Sequence, residues 1–110
     1  TFVTTINGLS VRTGFKLAYL QDGEVQAVAG YRISEWLHMG TYLEIEDLVT
    51  ASTARSMGYG GWLFDWLVAE ARRAGCRQLR LVSGVRRTEA HKFYARKGMV
   101  HEAQYFSLTL

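Results

Sequence analysis

The sequence predicts an α/β fold in which a sheet of mixed strand direction is flanked by helices. Three observations carry this. Short alternating segments with a hairpin signal fill the first half of the chain. A strand then enters a glycine-rich turn and an amphipathic helix. A further strand follows that helix, and a strand–helix–strand crossover implies a parallel pair. The 110 residues, 48% of them apolar and Trp36, Trp62 and Trp66 among them, suffice for one packed core, so residues 1–110 read as a single domain.

The elements follow in order. Residues 1–14 are ambiguous, with 2–6 able to form a strand and Asn7-Gly8 a turn. Residues 15–20 alternate, Phe15, Leu17 and Tyr19 against Lys16 and Ala18. Asp22-Gly23 is a hairpin signal, and 25–33 is the returning strand, with Gly30 a candidate bulge. Residues 35–40 read as a loop and 41–50 as a third strand, whose apolar end at Leu48-Val49 suggests burial on both faces. A helix spans 58–74, with Leu63, Trp66, Leu67 and Ala71 in one stripe and Asp65, Ala69 and Arg72 opposite. Arg72-Arg73 suit its negative end and Gly75 stops it. Residues 77–82 form a strand, Leu79 and Leu81 opposing Gln78 and Arg80. Thr88 caps a second helix over 89–97, ended by Gly98, with Ala90, Phe93, Tyr94 and Lys97 on one face. Residues 99–110 read as one or two strands, Phe106, Leu108 and Leu110 alternating against Ser107 and Thr109. The order is β-β-β-α-β-α-β.

Composition narrows the function classes. No apolar run reaches membrane-span length and the first residues do not read as a signal peptide, so no membrane association is expected. The single Cys76 excludes an internal disulfide and fits a reducing cytoplasm; a small core residue is its expected role. His38, His91 and His101 have no metal-ligand spacing, so no metal is expected. Charge is divided: residues 1–50 hold three Lys/Arg and six Asp/Glu, net −3, and residues 51–110 hold ten and four, net +6. A basic half attracts phosphates and an acidic half attracts a cation. Nucleic acid is a weaker reading of the Arg86-Arg87, Lys92, Arg96-Lys97 cluster, because no nucleic-acid motif accompanies it.

The chemistry concentrates in Arg55-Ser56-Met57-Gly58-Tyr59-Gly60-Gly61, between the third strand and the first helix. Glycine lowers helix propensity by about 1 kcal/mol per residue, so three in four residues at a helix start point to a backbone that something approaches closely. The free N–H groups of a helix's first turn carry partial positive charge, and bare glycines let an anion reach them. The run is neither Gly-x-Gly-x-x-Gly, since Leu63 stands at the last position, nor a Walker loop.

Arg55, Gly58 and Gly60 resemble the Arg/Gln-x-x-Gly-x-Gly/Ala signature of the GNAT superfamily of acyl-CoA-dependent N-acetyltransferases. Ala90-His91-Lys92-Phe93-Tyr94-Ala95-Arg96-Lys97-Gly98-Met99 resembles the second signature, Ala-x-x-Phe-Tyr-x-x-x-Gly-Phe/Met, at the right distance and on the right element. The resemblance covers residues 15–110.

That resemblance implies a mostly antiparallel sheet with a central parallel pair splayed at its C-terminal ends, flanking helices, and shortened N-terminal elements. It implies acetyl-CoA as cosubstrate and a primary amine as acceptor. The pantetheine arm would bond to backbone at Leu48, Val49 and Thr50, and the pyrophosphate would sit on amides of Arg55, Ser56, Met57, Gly58, Tyr59, Gly60 and Gly61. Tyr94 would protonate the leaving thiolate. Glu46 or Asp47 would be the base, with Glu44 third. Glu46 and Asp47 are adjacent on a strand and should face opposite ways, so one looks into the site; Glu46 is favoured. Two departures stand out: few residues precede the strand at 15–20, which leaves the acceptor open, and 83–88 lack the Asn common before the second helix. A homodimer is expected from an uncovered sheet edge, with Trp36, Leu37 and Met39 able to join the contact. The competing reading within the fold is an acyl-CoA-binding module without turnover.

Overall fold

The computed structural model describes residues 2–7, 15–37, 40–51, 58–83, 87–103 and 105–110. A five-stranded sheet runs in the order β1 (Phe2–Asn7), β2 (Phe15–Asp22), β3 (Glu24–Trp36), β4 (Gly40–Thr50), β5 (Gln78–Leu81). The helix α1 (Tyr59–Arg73) crosses between β4 and β5, and α2 (Thr88–Arg96) follows β5. The first four strands pair antiparallel and β4–β5 is parallel, as a helical crossover requires. Residues 2–7 of the ambiguous N-terminal stretch thus form an edge strand among the described residues, the turn expected at Asn7-Gly8 lies partly outside them, and the sheet is of mixed direction.

One face of the sheet carries the core. Ala18 and Leu20 of β2, Ala27, Ala29 and Tyr31 of β3, and Leu43 and Ile45 of β4 alternate inward, against Leu63, Phe64, Leu67 and Ala71 of α1. Burying each large apolar side chain there contributes about 1.5–3 kcal/mol. Trp66, expected in the stripe, is half-buried at its margin, and Phe64, not expected there, lies inside. The other face holds ion pairs over aromatic rings: Arg32 stacks on Phe15 and pairs with Glu46, and Arg80 stacks on Trp36 and Tyr42 and pairs with Glu44.

Further features differ from the sequence reading: Val49, expected to be buried on both faces of the sheet, is exposed, and the cap position of α2 is Arg87, not Thr88. The described residues of 99–110 form no strand: Tyr105, Phe106, Leu108 and Leu110 are exposed, and β5 is the last described strand of the sheet. Alternation marks a segment able to pair, but these residues meet β5 through the Gln78–Glu102 side-chain hydrogen bond and not through a backbone ladder. The irregularity expected at Gly30 is a register shift between Gly30 and Tyr31, but the extra residue is on the partner strand. Gly30 faces Asp47 and Tyr31 faces Ile45, so Glu46 is the bulged residue. Phe15 packs so closely on Gly30 that a Cβ there would lie 2.8 Å from its ring.

Candidate active site

The parallel pair is short. Its registered partners run from Tyr42–Gln78 to Ile45–Leu81, while β4 continues to Thr50. The strands part beyond Ile45, and a notch of about 70 Å³ opens there, lined by Glu46, Asp47, Val82, Arg87 and Tyr94 among others. It adjoins a much larger cleft of about 1200 Å³ between the end of β4, the start of α1 and the helix α2. Leu48, Val49, Arg87 and Tyr94 line both spaces. Their common wall makes one continuous site from two openings.

At the floor of the cleft, α1 begins at Gly58, whose left-handed φ of 82° suits glycine and strains other residues. No side chain caps this helix start, and the first helical bond runs from the Trp62 N–H to the Gly58 carbonyl at 3.0 Å. The N–H groups ahead of Trp62 lie outside the helical ladder, as at any helix start. Gly58, Gly60 and Gly61 line the cleft beside them. A Cβ on Gly60 would meet Thr50 Oγ1 at 2.9 Å, so this glycine lets the helix start press against the end of β4. Gly61 has room for one.

The opposite wall is α2. Ala90, Phe93, Tyr94 and Lys97 are all half-buried, while the remaining α2 side chains are exposed. The Tyr94 ring is therefore half-buried rather than largely buried, because α2 leans on α1 at its edge instead of lying under other chain. The Phe93 ring meets Phe64 edge-on at 5.8 Å and Tyr94 at 5.6 Å. The helix closes at Gly98, φ 86°, with the Gly98 N–H bonding the Ala95 carbonyl and the Met99 N–H the Tyr94 carbonyl. This double bond pattern fixes the last turn next to Tyr94. Arg87, Arg96 and Lys97 face Asp65 and Glu89 in the lining, a basic balance suited to an anionic ligand.

The carboxylates were expected to face opposite ways, and both line the notch. The bulge at Glu46 is the reason: an extra residue on β4 breaks the strict alternation that would turn one of them away. Glu46 Oε1 accepts a hydrogen bond from Arg32 Nε at 2.7 Å, whereas Asp47 makes no ion pair among the described residues. Glu44 is bound to Arg80 Nε at 2.9 Å and does not line the notch. Arg55, Ser56 and Met57 lie outside the described residues, as does Met39. Arg87 entered the sequence reading only as one member of a basic cluster, and its position between the two spaces is what makes it a candidate site residue.

Residues 5–99 match the family model described as Acetyltransferase (GNAT) family. The chain belongs to the GNAT acetyltransferase family. It is 38% identical over 90 residues to the uncharacterized N-acetyltransferase YhdJ of Bacillus subtilis, covering 81% of this chain and 63% of that protein. It is 32% identical over 104 residues to the aminoalkylphosphonate N-acetyltransferase of Salmonella typhimurium, covering 94% of this chain and 66% of that one. Its fold resembles the crystal structure of a transcriptional regulator from Bacillus halodurans, with a TM-score of 0.82 and 24% identity over 88% of this chain and 67% of that one. The chain thus spans just under two thirds of the length of these two N-acetyltransferases. No helix among the described residues is long and apolar enough to cross a membrane.

Proposed function

We propose that this GNAT chain carries the cofactor site and the catalytic groups of an acetyl-CoA-dependent N-acetyltransferase acting on a primary amine by direct attack. One observation carries the reading: Tyr94 stands in the wall shared by the large cleft and the notch, with Glu46 and Asp47 lining that notch. A cleft of about 1200 Å³ is large enough for a coenzyme-sized ligand. Its glycine floor, basic lining and strand wall at Leu48, Val49 and Thr50 fit an anionic ligand with a long arm.

Acetyl-CoA supplies an acyl group activated as a thioester. In the proposed reaction a carboxylate takes a proton from the acceptor nitrogen, whose lone pair forms the new C–N bond as the C–S bond breaks. The Tyr94 hydroxyl gives its proton to the departing sulfur. Asp47 is the better base of the two, because Oε1 of Glu46 is taken by Arg32. Glu46 then flanks the acceptor amine. The pyrophosphate is assigned to amides of the 55–61 run, Arg55, Ser56 and Met57 included. The aminoalkylphosphonate specificity in the name of the Salmonella relative makes a small amine with an anionic group the first acceptor to try.

A homodimer is proposed with this function. Among the described strands β5 has one neighbour, and Trp36 at the end of β3 and Leu37 after it are exposed. The lone Cys76, half-buried against the core, is consistent with a cytoplasmic protein.

The test is calorimetry with acetyl-CoA followed by free-thiol release on an amine panel, with light scattering for the dimer. Acetyl-CoA binding without thiol release on any amine would leave a binding module, and salt-sensitive nucleic-acid binding in its place would favour the basic-domain reading.

A further inference from the structure

The start of α1 has no side-chain cap and no acidic first turn. Its N-cap is Gly58, which has no side chain to cap with. Gly60 and Gly61 follow, and glycine has the most backbone freedom to lose on ordering. In the run Gly58-Tyr59-Gly60-Gly61 the only side chain is that of Tyr59. Its hydroxyl donates to Asp22 Oδ2 at 2.6 Å. Its ring packs on the margin of the core.

Asp22 is the last residue of β2, at the tip of the β2–β3 hairpin. The hairpin is braced around it: Gln26 Nε2 donates to the Asp22 carbonyl at 3.2 Å, and Gln21 Nε2 to the Gly23 carbonyl at 3.3 Å. The same hairpin also holds the other wall of the cleft. The Ala51 N–H donates to the Gln26 carbonyl at 2.9 Å, which anchors the chain just past β4. One hairpin therefore holds both the end of β4 and the start of α1, the two sides between which the Gly60–Thr50 approach is set.

We infer that the Tyr59–Asp22 hydrogen bond is a positioning contact for cofactor binding: it sets the amides of the glycine run at a fixed distance from the strand wall at 48–50. The inference rests on the acetyl-CoA reading above. Neither residue touches reacting atoms. Their effect falls on affinity for the phosphate-bearing part of the cosubstrate, because a preorganised site does not lose loop freedom on binding. The hydrogen bond to Asp22 also raises the Tyr59 phenol above its ordinary pKa.

The experiment compares wild type, Tyr59→Phe, Asp22→Ala, Asp22→Asn and the double variant Tyr59→Phe/Asp22→Ala. Acetyl-CoA affinity is read by calorimetry, and KM and kcat on any accepted amine. Tyr59→Phe keeps the ring packing and should weaken acetyl-CoA about fivefold to tenfold, the loss expected for one hydrogen bond to a charged acceptor at a partly exposed site. That loss should appear in KM, with kcat within about twofold of wild type. Asp22→Ala should match it, and the double variant should be no worse than either single one. Asp22→Asn, whose amide oxygen still accepts, should recover most of the affinity. Affinity unchanged in Tyr59→Phe, or additive losses in the double variant, would overturn the assignment. If wild type itself fails to bind acetyl-CoA, it is the cofactor reading that fails. The tether is then judged by amide exchange at Trp62, whose N–H closes the first helical bond. Tyr59→Phe should speed that exchange about fivefold or more, and an unchanged rate would overturn the contact's positioning role.

Discussion

Lys97 Nζ, at the C-cap of α2, lies 2.9 Å from Asp65 Oδ1 on α1 and within 6 Å of the Phe64 and Phe93 rings, at 5.8 and 5.9 Å from their centroids. This cluster joins the two helices that wall the cleft. The ion pair is partly exposed, and such pairs contribute about 0–1 kcal/mol. Lys97→Met should therefore cost under about 1 kcal/mol, and less at high salt. Phe93→Ala removes the ring that meets Phe64 and should cost about 2–3 kcal/mol, below the range for a fully buried phenylalanine. Urea denaturation of both variants at two salt concentrations checks the order.

The glycines of the cradle differ in what they tolerate. Gly61→Ala meets nothing closer than Lys97 Nζ at 3.5 Å and replaces a poor helix former, so stability should hold or rise by up to about 1 kcal/mol. Gly58→Ala forces a side chain into left-handed backbone and should cost about 1–2 kcal/mol. Gly60→Ala collides with Thr50 Oγ1 and should cost about 1–3 kcal/mol, with partial recovery in Thr50→Ala/Gly60→Ala. Gly60→Asp adds negative charge to the same spot and should abolish acetyl-CoA binding. Because the collision alone disturbs the helix start, the charge effect is read in the Thr50→Ala background, by calorimetry on folded protein.

Tyr94→Phe preserves the ring contact with Phe93 and removes one proton donor. A positioned general acid contributes about 10²–10⁴-fold, so kcat should fall at least tenfold with acetyl-CoA affinity nearly intact. Asp47→Asn should lower kcat by a similar factor and shift its dependence on pH. Glu46→Gln should act less, through its Arg32 partner. Steady-state kinetics across pH on the same amine compares the three, and wild-type rates in all of them would remove the acid–base mechanism.

Tyr31 sits fully inside the core, with its hydroxyl 3.4 Å from Glu70 Oε2. Burial, then the nearby Glu70 carboxylate, push its phenol from 10.0 up to about 12. A raised folded value means the neutral form is favoured in the fold. The resulting stability is fully present below pH 10 and is lost as pH rises through about 12. Tyrosinate absorbance should show a late-titrating group near pH 12 that is missing in Tyr31→Phe. That variant should also lose less stability than wild type over the same alkaline range.

Much of the site was legible because its signals are local. Three glycines at one helix start and an aromatic pair ahead of Gly98 are read within ten residues each, and a strand before the first of them is set by its own alternation. Phe64 was missed because helical spacing defines a stripe but not its width; the sheet and α2 together cover more of α1 than one row. Arg87 has no signal in a loop-to-helix position until two openings are seen to meet beside it.

The sequence by itself determined the types of β2 to β5, α1 and α2, the crossover that makes β4 and β5 parallel, and the placing of Gly60, Gly61 and Tyr94 on their helices. These follow from side-chain periodicity and backbone preference, which act within a few residues. Only the tertiary structure decided that Glu46 is a bulged residue, that Glu46 and Asp47 therefore share a notch, and that Arg32 takes one of the two. It also decided that Tyr59 reaches Asp22 across 37 positions of chain, and that the described residues of 99–110, for all their alternation, form no strand. Register, ion pairing and strand formation depend on what the opposite chain offers at each position, and a single segment's pattern carries no record of its partner.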